Sequence, residues 1–224
     1  MQTDEPSSPP EQRPGRRALV AGLVAVIAAG LLVIGGALAV GLGIGRTDTP
    51  TADSVDAGFS LDMSVHHLQA VEMANLAPGR TTDPEVLSLA FDISQTQLNQ
   101  VGRMQGWLTL WGLPTTGAHT MAWMEGSDHH HDHDDDGRLM PGMATEEELT
   151  QLRGARGQDF DVLFLQLMIR HHQGGLEMAE QGEARASEAV VRGLARSIAE
   201  TQTAEAMTMA AMLAARGGSP LPAP

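Results

Sequence analysis

Two stretches of this chain carry the same side chains at the same spacing. Asp56, Phe59, Met63, His66, His67, Glu72, Met73 and Ala74 recur as Asp161, Phe164, Met168, His171, His172, Glu177, Met178 and Ala179, each pair 105 residues apart. Ile93, Gln97 and Met104 recur at the same offset as Ile198, Gln202 and Met209, so the repeated unit is longer than the histidine pair. Adjacent imidazoles about one helical turn after a thioether are donors for a soft or borderline metal ion. The chain has no cysteine, so methionine and histidine are its only such donors. Thioether with imidazole favours copper, methionine suiting Cu(I) and histidine either oxidation state, whereas zinc, nickel or another divalent transition ion gains little from methionine. Di-iron chemistry of the ferritin kind requires Glu-x-x-His pairs, and no such pair occurs in the sequence.

The expected metal set is therefore Met63, His66, His67, Met168, His171 and His172, with Gln97, Met104, Gln202 and Met209 as supporting groups or extra ligands. The competing reading of each is bland: methionine fills core gaps well, and buried histidines are satisfied by ordinary hydrogen bonds. Phe59, Phe164, Met73 and Met178 are read as packing. Glu72 and Glu177 fall about 120 degrees from the first histidine of their motif on a helical wheel and are left out of the set. A second candidate lies in the run from Asp128 to Asp136, whose His129, His130, His131 and His133 stand among five aspartates and form a low-affinity cation trap or, at its plainest, a solvated acidic loop.

Positioning these residues requires helices. On a helix Phe59, Met63, His66, Ala70 and Met73 share an arc of roughly 80 degrees, a buried stripe repeated by Phe164, Met168, His171, Gly175 and Met178. His67 and His172 sit one step around, toward a neighbouring helix. Four amphipathic stretches follow one another, at about 55–77, 84–111, 159–185 and 187–216. Pro78-Gly79 stops the first, Thr82, Pro84 and Glu85 supply a capping box and first-turn proline for the second, and Gly217-Gly218 closes the last. The expected fold is all-α: two duplicated helical hairpins forming a four-helix bundle over 55–216, able to bring four histidines and several methionines into one interior. Between the hairpins, 115–157 is rich in His, Asp and Met. It reads as irregular and unable to bury a core until Thr145 and Glu148 form a capping box for a short helix.

Ahead of the bundle, 1–17 reads as a disordered tail, 18–45 as one transmembrane helix free of charge, and 46–54 as a tether, with 217–224 a disordered tail at the other end. Arg13, Arg16 and Arg17 precede the apolar run and only Arg46 follows closely, placing the N-terminus in the cytoplasm and the bundle outside. A cleaved signal is the alternative, since Ala37-Leu38-Ala39 resembles a processing site and would release a secreted form. The small-xxx-small spacing of Gly41 and Gly45 suits packing against another membrane helix, and so a homo-oligomer.

A net charge of -14, with all 14 basic residues arginine, excludes nucleic acid as a partner and suits cations. The functional expectation is a membrane-anchored extracytoplasmic protein that captures or buffers copper. Two alternatives stand beside it: a copper-dependent oxidase, for which no substrate-pocket signal exists, and a helical interaction module without metal. An enzyme is the weaker expectation.

The segment Met140-Pro141-Gly142-Met143, Glu146, Leu149, Leu152, Phe160-Asp161, Phe164, Met168-Ile169-Arg170-His171-His172-Gln173-Gly174-Gly175 and Glu177-Met178-Ala179 resembles the signature of the domain of unknown function 305 family, DUF305, over about Ser54 to Arg216. The resemblance implies a ferritin-like bundle, secreted or membrane-anchored, in a family where some members are associated with extracytoplasmic copper binding and tolerance. It supports His66, His67, His171 and His172, with Met63 and Met168 one turn before them. Gly175 stands where alanine is commonest in the family, a change expected to weaken the helix slightly and leave the ligands untouched.

Overall fold

The structure is a computed structural model and describes residues 15–42, 49–117, 121–124 and 139–223. It divides into two compact units, residues 1–48 and 49–224. The first holds one helix, α1 (Arg16–Gly41), of 26 residues. It is long and apolar enough to cross a bilayer, as anchors and signal sequences both are.

The second unit is helical throughout its described residues: α2 (Val55–Asn75), α3 (Pro84–Leu110), α4 (Glu146–Gly154), α5 (Gly157–Arg185) and α6 (Ala189–Ala215), with a single 3-10 turn at Ala122–Met124. α2 packs along α3, α5 along α6, and α2 meets α5, which joins the two hairpins into a four-helix bundle. The helix starts follow from local chemistry. The Ser54 hydroxyl accepts from Ala57 N to cap α2. For α3 the cap is Asp83 rather than the Thr82 box expected from sequence, because its carboxylate takes both Glu85 N and Val86 N while Pro84 fills the first turn. The Thr145–Glu148 capping box opens α4 as expected. No side chain of its own caps α6. The turn that leads into it is held by Asp56, at the start of α2, which accepts from Ser187 N at 3.0 Å and Glu188 N at 2.8 Å.

The bundle interior contains two apolar clusters. One gathers Met73, Ile93, Phe164, Met168 and Met209 with the short helix α4 through Leu149 and Leu152. The other gathers Phe59, Met63, Met104, Met178 and Ile198. Positions 105 residues apart thus fall in opposite clusters: Met63 and Met168, Met104 and Met209, Met178 and Met73.

The inter-hairpin segment departs from expectation. Trp123, Met124, Met140 and Met143 are buried and join the second cluster. The reason is local anchorage. The Trp123 indole lies edge-on to Phe59 at 5.8 Å and donates to Asp62, whose carboxylate also accepts from Met121 N. Fully burying a side chain of this size stabilises by about 2 kcal/mol, enough to draw short pieces of an otherwise polar linker inward. His129, His130, His131 and His133, the expected cation trap, lie outside the described residues.

Candidate metal centre

The stripe of α2 places Met63, His66, Ala70 and Met73 at zero exposure, and α5 does the same with Met168, His171 and Met178. Between the two apolar clusters the four imidazoles form a chain. Ring centroids are 6.4 Å apart from His67 to His66, 3.8 Å from His66 to His171, and 6.3 Å from His171 to His172. The bundle therefore brings all four together, but in sequence and not around one point. Among the described residues no three His, Asp or Glu side chains form a cluster able to hold a metal ion by themselves. Methionine or glutamine donors would have to complete any site.

Each Nε2 faces an oxygen. His66 Nε2 lies 3.1 Å from Pro141 O, His171 Nε2 2.9 Å from His66 O, His67 Nε2 2.7 Å from Gln100 Oε1, and His172 Nε2 2.7 Å from Glu205 Oε2. A carbonyl or carboxylate oxygen can only accept, so each Nε2 carries a proton, and in the neutral ring Nδ1 is the atom with the lone pair. None of the four Nδ1 atoms has a hydrogen-bond partner among the described residues, and neither do both amide atoms of Gln97 and of Gln202. Buried polar atoms are normally satisfied, and eight such atoms between two methionine-rich clusters are the chemistry a cation would answer. The donor set of imidazole nitrogen, thioether and amide oxygen fits copper better than a hard ion.

Burial also sets the charge state. Desolvation lowers the His66 pKa to about 4 and the His67 pKa to about 3, and holds His171 well below its ordinary value, with the neighbouring imidazoles adding repulsion. Neutral imidazole is the form that ligates.

Gln100 and Glu205 were not singled out in the sequence, although they hold His67 and His172 by the same kind of contact, 33 residues on in each hairpin. The 105-residue offset relates them. Because one is an amide and the other a carboxylate, matching identical residues passes over them. A carboxylate on the far nitrogen of an imidazole is the usual arrangement behind a metal-bound histidine.

Around this row the turn Met140-Pro141-Gly142-Met143 is laid backbone against backbone on α5. A Cβ on Gly174 would fall 2.1 Å from Pro141 O, and one on Gly142, which has φ +74, would fall 2.4 Å from Arg170 O. Gln69 holds the turn with two hydrogen bonds to Ala144 backbone, and Arg170, 3 % exposed, pairs with Glu148 at 2.8 and 2.6 Å while reaching Met143 O. The turn thereby delivers Met140 and Met143 to the interior and Pro141 O to His66. Gly175 corrects an expectation. A Cβ there would lie 2.6 Å from Gln202 Oε1 and 3.0 Å from His66 Cε1, so the glycine shapes the histidine interior directly. Glu72 points outward to Arg153 at 2.5 Å.

Comparison with known proteins follows these features. A DUF305 protein from Streptomyces coelicolor is 46% identical and superposes with a TM-score of 0.69, covering 77% of this chain and 99% of its own. A DUF305 fragment from Deinococcus radiodurans is 31% identical at a TM-score of 0.61, covering 75% of this chain and 99% of its own. CopM in its Cu(I)-bound form is 25% identical at a TM-score of 0.57, covering 73% of this chain and 98% of its own. No curated protein matches the chain. The profile described as Domain of unknown function (DUF305) matches residues 56–213, which takes in both histidine pairs and all four bundle helices, and the chain belongs to that family.

Proposed function

We propose that this protein captures or buffers copper outside the cytoplasmic membrane, held there by α1, and that it does so in the His/Met interior of a bundle built from two duplicated hairpins in the ferritin-like manner. The observation that carries the reading is the row of four buried imidazoles whose Nδ1 atoms, like the buried amides of Gln97 and Gln202, have no hydrogen-bond partner among the described residues. Met63 and Met168 lie one turn from their histidines, with Met104 and Met209 on the facing helices. CopM, solved in Cu(I)-bound and Cu(II)-bound forms, shares the fold at 25% identity. Arg13, Arg16 and Arg17, ahead of the apolar run that starts at Ala18, support an outside location for the bundle.

The test is equilibrium titration of the full chain in detergent micelles with Cu(I), supplied anaerobically, and separately with Cu(II), followed by elemental analysis after dialysis. Retained stoichiometric copper and a raised melting temperature are expected. No retained copper in either oxidation state would sink the proposal. The module without metal has one observation in its favour, that every Nε2 is already satisfied within the fold. Replacing His66, His67, His171 and His172 with glutamine separates the two. Loss of binding supports the bundle site, while copper retained by that variant places binding elsewhere in the chain.

A further inference from the structure

We propose that the cleft between α5 and α6 is the port through which a soft monovalent cation reaches the histidine row, with the Met207 thioether as its outermost ligand. The inference rests on the copper-binding reading above and adds the route and the residue that begins it.

The cleft has a volume of about 310 Å³, and Met207, Gln173 and Thr203 border it while His172 and Gln202 lie among its lining residues. Met207 is 71 % exposed, whereas Met209, two residues on, is fully buried. A methionine left in water forgoes about 2 kcal/mol of burial, so packing gives no reason for a thioether at this edge. Farther in, Gln202 is 3 % exposed and His172 1 %, and the Gln202 amide and His172 Nδ1 have no hydrogen-bond partner among the described residues. Donors thus occur at the rim and in the lining alike. The remaining walls, Leu176, Ala206 and Ala210 among them, are apolar. Such walls penalise a strongly hydrated divalent ion more than a soft ion that thioether and imidazole can hold.

The equivalent positions 105 residues earlier lack this equipment. Gly102 corresponds to Met207, Leu98 to Thr203, Leu68 to Gln173 and Gln100 to Glu205. Leu68 and Leu98 present aliphatic side chains to solvent there. The two hairpins share their buried histidines but differ on their outer faces, which assigns entry to the α5–α6 side. Glu205, with 19 % side-chain exposure, holds His172 by Nε2 beside this cleft and gives that side a negative charge that Gln100 does not supply.

The experiment measures the rate of Cu(I) uptake by the full chain in micelles under anaerobic conditions, and the rate of its removal by a chromophoric Cu(I) chelator. Met207→Leu removes the sulfur while keeping the volume, and Ala206→Leu narrows the cleft without touching a donor. Both variants are expected to slow uptake and removal by about tenfold with equilibrium loading within about twofold of the parent, the signature of a changed barrier and not a changed site. Gly102→Met on the opposite face is expected to leave both rates as they are. Unchanged rates in a fully loaded Met207→Leu and Ala206→Leu pair would overturn the port. So would loss of equilibrium binding in Met207→Leu, because it would make Met207 part of the final site. A parent protein that takes up no Cu(I) overturns the copper reading itself, an outcome distinct from both.

Discussion

His66 and His171 lie ring against ring, their centroids 3.8 Å apart and their planes inclined by 35°, and His171 Nε2 donates to the backbone carbonyl of His66. Two helices from different hairpins are joined by an imidazole pair in the buried interior of the bundle. Burial holds the pKa of each ring below its ordinary value, with repulsion from His172 adding at both and from His66 at His171.

Replacing one ring with a carbocycle tests what that pair is for. His66→Phe keeps an aromatic ring against His171 while removing both nitrogens and leaving Pro141 O without its donor, a loss of about 1–3 kcal/mol. The fold should survive, with helical circular dichroism unchanged and Cu(I) affinity reduced at least about tenfold. Parent-like affinity would remove His66 from the binding set.

Acid should destabilise the metal-free protein. The His66 and His67 pKa values are depressed from 6.5 to about 4 and about 3, so the unfolded chain binds protons that the folded one refuses. Stability is fully present above pH 6.5 and is lost as pH falls through that value toward 4 and 3. Asp62, whose pKa is raised by burial, works in the opposite sense and offsets part of the loss. We expect the melting temperature to fall by at least about 5 °C between pH 7.5 and pH 5. No change across that interval would contradict the buried neutral state of the histidines.

Gly174→Ala and Gly175→Ala should separate structure from site. The first puts a methyl group 2.1 Å from Pro141 O, a backbone atom that cannot turn aside, and should cost about 3 kcal/mol by displacing the Met140–Met143 turn. The second meets the Gln202 amide at 2.6 Å, the far end of a rotatable side chain. It gains about 1 kcal/mol of helix propensity in return. Thermal melts with parallel Cu(I) titrations are expected to show Gly174→Ala chiefly as lost stability and Gly175→Ala chiefly as altered affinity. The reverse ranking would refute the packing described for these glycines.

The Arg170–Glu148 pair is a second place where stability and site meet. Glu148→Ala leaves a guanidinium that is 3 % exposed without its bidentate acceptor and also breaks the α4 capping box, a loss of about 3–5 kcal/mol. Arg170→Met removes the buried charge itself and should cost less. Chemical denaturation of both variants checks the order, and an equal or smaller effect of Glu148→Ala would show that Arg170 finds other compensation.

Much of this could be read from residue spacing. The stripe Phe59, Met63, His66, Ala70 and Met73 follows from helical periodicity, and all five side chains are fully buried. The 105-residue offset pairs Gln97 with Gln202, and both side chains are buried for the same reason. Gln100 and Glu205 escape because their partnership is one of geometry, not identity. The burial of Trp123, Met124, Met140 and Met143 escapes as well. It depends on Asp62, Gln69 and Gly174, contacts between residues tens of positions apart that no local pattern encodes. The α3 cap differs by one residue because Thr82 and Asp83 are both good caps and only the backbone path chooses between them.

Asp56→Ala should lower stability by about 1–3 kcal/mol, the effect of leaving part-buried backbone N–H groups without their acceptor. Amide exchange is expected to speed up at Ser187 and Glu188, in the turn ahead of α6, not in α2 where the substitution lies. Exchange confined to α2 would show that the carboxylate does not hold Ser187 and Glu188 in solution.

That same carboxylate couples the order of assembly of the two halves. A turn between two helices normally satisfies its backbone with its own residues; the one between α5 and α6 instead gives its Ser187 N–H to a side chain contributed from 131 residues upstream. The second hairpin then satisfies its own connecting turn only when the first is already docked against it. Folding and docking become coupled, and a half-detached bundle lacks a fully satisfied turn between α5 and α6.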